Sequence, residues 1–499
     1  MSQPQTASVN PEGSPPDKKL YSASSSEIHK WGAGAIADYW MYFQFAMIAT
    51  VFTTTYKLDP RYVGLALTIP RLFDGLIDPF IGHLSDNTRS RWGRRRPFLF
   101  VTTILGSIIG VCIWWTPIQW PQWAQFIWLT VGATLLFTNW GTFEMAHFAL
   151  GYELSDDYND RSRVLAIRNA YNQIMTIFAG YYWSAAIVLG TGLTWIVPHF
   201  GWTLHILSVG SEINAFRILS LGVAFLILVF GMIPVFFCKE RFVNVNRNPV
   251  KVWEGLKTAI RCRPFLIILI LQLSRAFGWS LYFPLSQIIG IYYICRADKL
   301  LFTTAQIGLG GLFGAAFSVC LWPLAKPLTQ RFGKRLMIIL ATGSSFIYAV
   351  LLPFVTVPGR IYLSVFVGFA FIFALPIQQL FIQSAMPDIC DIDELQNGER
   401  REGLFSAIKS LCDKYEISLA ILISMCLLWF VGFDAKLPQQ SSEVLHRLLW
   451  CAFTPYIFFS FVGLMIAFTF PITETMMIDV RAKLEKRRAE AVIPPTPAP

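Results

Sequence analysis

The residues of this chain best suited to chemistry are three charges set inside one apolar stretch. Arg71, Asp74 and Asp78 fall between Tyr62 and Leu84, a run otherwise fit for the interior of a bilayer. Spacing of i, i+3 and i+7 puts them along one face of a helix. Each charge at the centre of a membrane helix costs about 3 kcal/mol on insertion scales, so a segment keeping three must turn them toward protein or a watery cavity. An Arg–Asp pair accounts for two and leaves a carboxylate over, which points to an ion or substrate pathway. Two carboxylates one helical turn apart offer hard oxygen ligands to Na⁺, and without a metal their mutual repulsion favours taking up a proton. Asp74 and Asp78 are the expected cation ligands, the metal being Na⁺ if sodium is the ion. Glu144, inside another apolar run, is either a third oxygen donor or the partner of Arg168.

The elements that must position these groups are membrane helices. Of 499 residues, 54% are hydrophobic and only 14% charged, which excludes an ordinary soluble protein. Apolar spans are expected near 33–56, 61–85, 98–118, 123–152, 164–190, 214–238, 265–295, 304–328, 336–358, 360–386, 404–432 and 448–472. Residues 1–30 lack a signal-peptide core and read as a disordered cytoplasmic tail. Of the 41 Lys and Arg, 28 fall in the alternate segments that share a side with both termini, 8 in the opposite ones and 5 within spans. That asymmetry predicts cytoplasmic termini, explains the net charge of +10 as topology, and removes any need for a nucleic-acid partner. Nine cysteines without metal-ligand spacing imply no disulfide framework. Trp114, Trp115, Trp120 and Trp123 read as an interfacial belt.

The chain repeats itself. Arg91-Trp92-Gly93-Arg94-Arg95 after the second span returns 240 residues later as Arg331-Phe332-Gly333-Lys334-Arg335, and the same offset carries Arg161 onto Arg401. Two loops repeated at one spacing argue for parallel six-helix halves around a central cavity. The expected domains are an N-terminal bundle at 31–238, a cytoplasmic central loop at 239–264, a C-terminal bundle at 265–472 and a cytoplasmic tail at 473–499.

Several motifs, in order, resemble the glycoside–pentoside–hexuronide:cation symporters, the melibiose permease-like family of the major facilitator superfamily. They are Trp31-Gly32-Ala33-Gly34 leading to Asp38, Arg71-Leu-Phe-Asp74-Gly-Leu-Ile-Asp78-Pro79 with Asn87 to Gly93, and Asp388 to Asp391 with Arg401-Glu402-Gly403 and Lys414. Two departures stand near the family's sugar and cation sites. Ala37 replaces a lysine, and Glu144-Met145-Ala146-His147 replaces the Ile-Pro-Tyr run and its preceding acid.

The resemblance implies an all-α polytopic membrane protein of the major facilitator fold, with twelve transmembrane helices in two six-helix bundles. It implies secondary active symport of a sugar by alternating access, driven by Na⁺ or H⁺, with no cofactor beyond the ion. Asp74 and Asp78, with Glu144, match the cation acids. Asp38, Arg168 and Lys414 match substrate positions; a carboxylate accepts from sugar hydroxyls while a guanidinium donates paired hydrogen bonds. From the residues themselves, Trp40 and Tyr39 beside Asp38, Tyr171 beyond Arg168, and Trp279 and Tyr282 in the seventh span offer faces for a sugar, packing being the commoner role of each ring; Arg275 is a candidate for meeting an acidic group, and for His147 packing is weighed above proton sensing or substrate contact. The alternative for Lys414, from the residues alone, is neutralisation by its neighbour Asp413. Arg71, Asp86, Arg89, Arg95, Arg161 and Arg401 are the expected gating charges, Asp86, Arg89 and Arg95 working with the Asp156–Asp160 loop. The expected setting is a bacterial inner membrane, with a monomer contacting lipid. A lysophospholipid cargo is the rival reading. A membrane enzyme is not expected, because the loops are short and hold no Ser/His/Asp grouping or metal motif.

Overall fold

The computed structural model describes residues 24–71, 81, 88, 90–152, 154, 158–199, 211–238, 240, 262–371, 374–397, 402–472 and 474–492. Within them the chain is helical throughout, as a segment immersed in lipid must be to satisfy its own backbone. The N-terminal half contains α1 (Ser25–Thr54), α2 (60–71), α3 (Arg96–Trp114), α4 (Gln122–Tyr152), α5 (Tyr158–Gly180), α6 (Tyr182–His199) and α7 (Ser211–Phe237). The fifth span is α5 and α6 together, broken at Tyr181. In the C-terminal half, α8 (Arg263–Ile289) runs on through a π turn, and the short α9 (Lys299–Phe302) leads through another into α10 (Gly310–Val355). The bend at Gly333 divides α10 into the eighth and ninth spans. The tenth span is α11 (Ile361–Phe371) with α12 (Ala374–Asn397), and α13 (Glu402–Phe430) and α14 (Ser442–Phe468) complete twelve passes. Among the described residues, six stretches of 19 to 32 residues are long and apolar enough to cross a bilayer.

Helix starts follow local chemistry. The Ser24 hydroxyl accepts from the Glu27 N–H at 3.2 Å, so α1 begins at Ser25, inside the segment expected to be a disordered tail. Pro97 and Pro264 open α3 and α8, where a missing N–H loses nothing. The 473–499 tail is largely helical. There α15 (Glu474–Val492) buries Met477, Val480 and Leu484 in a cluster with Phe381, Ile389 and Ile392 of the C-terminal half. Trp114 leaves the predicted belt: it is wholly buried and its Nε1–H donates to Gln44 at 3.0 Å, whereas Trp115, Trp120 and Trp123 are exposed. Phe178, Phe225 and Phe366 project from the bundle, as side chains facing lipid do.

Two apolar cores tell how the halves meet. One runs through the whole N-terminal half and on into Leu281 to Phe302 and Ala420 to Phe453. Those C-terminal residues lie toward the end opposite the chain termini, here called distal. The second contains Phe265 to Leu271, Phe381 to Ile392 and Phe405, at the end bearing the termini. Among the described residues, the halves share a core only distally.

Candidate functional site

The WGAG motif allows α1 to sit close to α4. A Cβ at Gly34 would stand 2.6 Å from Nε2 of His147. In the space this leaves, Trp31 stacks on His147 with centroids 4.6 Å apart and donates Nε1–H to the His147 carbonyl at 2.9 Å. His147 donates back, Nε2–H to the Trp31 carbonyl at 2.9 Å. The ring is wholly buried and works as a clasp between two helices, the packing role weighed for it in the sequence.

One helical turn on from this clasp, Asp38 of α1 is buried and satisfied from two other helices. Trp140 on α4 donates Nε1–H to one carboxylate oxygen at 2.9 Å, and Arg168 on α5 donates to the other at 2.5 Å. Glu144 stands 3.8 Å from Arg168, near enough for attraction and too far for a hydrogen bond, and is more exposed than either. The Arg168 guanidinium also lies 3.9 Å over the Phe148 ring. Asp38, Glu144 and Arg168 thus form one constellation on three helices. Its fourth member, Trp140, has no charge to attract notice in the sequence. Trp40, expected to stack on substrate, packs instead among Phe43 and Tyr182.

Arg71 lies in the same interior. Its guanidinium is 3.5 Å from the Phe137 ring centroid and 5.2 Å from that of Phe45, so two rings share the burden of desolvating it. Its neighbours Asp74 and Asp78, together with Asp86, Arg89 and Arg401, lie outside the described residues. Arg161 falls within α5.

The C-terminal half presents a second polar interior. Asp413 pairs with Lys409 at 2.6 Å, one turn away on α13, and not with its neighbour Lys414, which is half-buried. Arg275 on α8 reaches Gln272 at 3.4 Å and, with Thr342, Ser345, Gln378, Tyr456 and Ser460, lines a small cavity of about 10 Å³, room for about one water. Tyr282 stacks on Tyr456 at 4.9 Å. Glu416, buried on the same face of α13 as Asp413, escaped the sequence reading.

The arginine-rich turn is held by its backbone. Amides of Arg94, Arg95 and Arg96 donate to the Glu240 carboxylate at 2.6, 2.6 and 3.0 Å, capping the start of α3 from the end of α7. Gly93 is required there: its φ is +105°, and a Cβ would meet Glu240 at 2.6 Å. The repeat preserves the bend, with φ +71° at Gly333, but secures it differently, through Lys334 to Asp388 at 2.5 Å. A lone glutamate in a loop gave no sequence signal for the capping role of Glu240.

At the distal end the halves are latched. Lys299 of α9 pairs with Glu212 of α7 at 2.8 Å and reaches Thr55 at 3.3 Å. The other Glu212 oxygen accepts from Thr55 at 2.8 Å and from Trp183 at 3.0 Å. Ser184 meets Thr303 at 3.0 Å, and the Thr68 hydroxyl donates to the Ser418 carbonyl at 3.2 Å. Burial, and after it the Lys299 charge, pulls the nearby Lys57 ammonium below the usual lysine range.

A family profile described as MFS/sugar transport protein matches residues 31–474. The chain is 25% identical to an uncharacterised symporter of Synechocystis sp., across 85% of its own length and 90% of the relative's. It is 22% identical to sodium-dependent lysophosphatidylcholine symporter 1-B of Danio rerio, across 86% and 84%. With a glucuronide carrier protein homolog of Escherichia coli strain K12 it shares 21% identity, across 89% and 93%.

Proposed function

This chain belongs to the MFS/sugar transport protein family, and from that premise we propose that it carries a glycoside-like sugar across a membrane by cation-coupled symport. The observation that carries this reading is the constellation of Asp38, Trp140, Glu144 and Arg168 where three helices of one half meet, with Asp38 and Arg168 buried. A carboxylate accepts from sugar hydroxyls, a guanidinium donates two hydrogen bonds in fixed geometry, and indole offers an apolar face for the ring. Both sides of Asp38 are already occupied here, so substrate takes the place of an internal hydrogen bond when it binds.

Asp74 and Asp78 supply the cation site, with Na⁺ or H⁺ as the ion. Binding of ion and sugar in adjoining sites raises the affinity of each for the other by the same factor. The two halves rock about the seam between them, and the distal closure corresponds to the state open toward the termini. Charge asymmetry along the chain puts those termini in the cytoplasm, so the distal face lies outside. We place the monomeric carrier in a bacterial inner membrane, working as an importer and not as an enzyme.

The test is uptake of radiolabelled glycosides, pentosides and hexuronides into vesicles under an imposed Na⁺ or H⁺ gradient. Gradient-dependent accumulation of one sugar is expected. With Asp78→Asn, accumulation should be abolished while exchange of pre-loaded sugar persists. Wild-type accumulation in that variant would overturn the cation assignment. Failure of every sugar under both gradients would overturn the cargo.

A further inference from the structure

The face that α13 turns to α8 contains Lys409, Asp413 and Glu416, at i, i+4 and i+7. The first two neutralise each other. Glu416, nearly one turn deeper, is only 6% exposed. Among the described residues it makes no ion pair, and neither carboxyl oxygen has a hydrogen-bond partner. The Ser280 hydroxyl on α8 approaches without reaching hydrogen-bond geometry. Facing Glu416 are Asp413 on its own helix, Arg275 on α8 and, from the opposite half, Arg71 on α2. Tyr456 on α14 faces Arg275 in turn.

Glu416 therefore stands on the seam. Two residues further along α13, the Ser418 carbonyl accepts from Thr68 of α2, so the helix bearing Glu416 is tied to the other half at this level. An ionised carboxylate shut away from water and from donors is costly, and within a membrane protein such a group marks a proton or ion pathway. A bound proton removes the charge. Parting α2 from α13 would admit water and let that proton leave.

We propose that Glu416 is a proton-binding site built into the seam, filled while the distal seam is closed and emptied when it opens. The inference rests on the rocking motion of the carrier proposed above. It adds a site in the C-terminal half, distinct from Asp74 and Asp78. Because the closed state holds one more proton, falling pH favours closure. The ratio of closed to open molecules changes about tenfold per pH unit where Glu416 titrates.

The experiment is the distance between spin labels on two exposed distal loops, at Pro121→Cys and Lys436→Cys, after replacing the nine native cysteines. Measured in nanodiscs between pH 8 and 5, wild-type label pairs should move toward the short distance on acidification. Glu416→Gln should stay at the short distance throughout, and Glu416→Asp should keep the response with a displaced midpoint. A wild-type distribution insensitive to pH, or a Glu416→Gln variant that follows pH like the wild type, would overturn the proposal. If Glu416→Gln does not fold, Glu416→Asp decides: a displaced midpoint supports the site and an unchanged one rejects it. The readout needs no substrate, so it stands or falls separately from sugar uptake.

Discussion

The two halves descend from one repeated plan, yet they handle buried charge in opposite ways. In the N-terminal half the Asp38 carboxylate takes a hydrogen bond on each oxygen, Glu144 stands beside Arg168, and both Arg168 and Arg71 lie over aromatic rings. The C-terminal half pairs Lys409 with Asp413 and leaves Glu416 buried without a donor. A satisfied network fixes one geometry and rewards a ligand that replaces its parts. An unsatisfied carboxyl has no such ground state and responds to whatever brings it water or a proton. On the roles proposed above, the difference separates recognition, in the first half, from a sensitivity to conformation in the second.

The largest effect should come from breaking the satisfied side. Arg168→Met leaves Asp38 buried without its counter-charge, a loss of about 3–5 kcal/mol, read as a drop in thermal stability in detergent. Adding Asp38→Asn should restore most of that stability without restoring sugar uptake. Recovery of both would make the pair structural and remove the contrast between the halves.

The repeated turns give the next comparison. Gly93→Ala and Gly333→Ala both force a side chain to positive φ, which costs about 1–3 kcal/mol. Only at Gly93 does the new Cβ also strike the Glu240 carboxylate, for at Gly333 nothing among the described residues lies within 4 Å. Gly93→Ala should lower the melting temperature more than its counterpart, and equal losses would show that the Glu240 cap contributes little.

Lys299→Met removes the latch. With both partners about a fifth exposed, the pair contributes about 1 kcal/mol, roughly a fivefold change in the closed-to-open ratio. Alkylation of Ser184→Cys should quicken by that factor in Lys299→Met. Exchanging the charges, Lys299→Glu with Glu212→Lys, should slow it again. No change in either variant would assign distal closure to apolar packing alone.

Spans, repeat and buried charges were legible because membrane insertion writes them plainly. An apolar run must be long, and a charge within one must have a reason. Asp38 and Arg168 stood out for that reason, although nothing in their spacing named Trp140 as the second donor. Where charge is plentiful the reading fails. Asp413 has lysines at one residue and at four, and only the helix face decides for Lys409. Glu416 is lost among the same neighbours, since its isolation follows from how α8 and α2 approach it. Glu240 likewise depends on where the end of α7 meets a turn almost 150 residues earlier. Trp114 shows the converse, a polar-edged ring whose ordinary role in the belt was displaced by packing.

The distal seam has a pharmacological consequence. Its closure joins loops from both halves into one continuous face. A nanobody whose footprint straddles that face, touching the start of α2 and the loop before α14 together, would recognise only the closed carrier. It would act by trapping one stage of the cycle and would need no access to the sugar pocket.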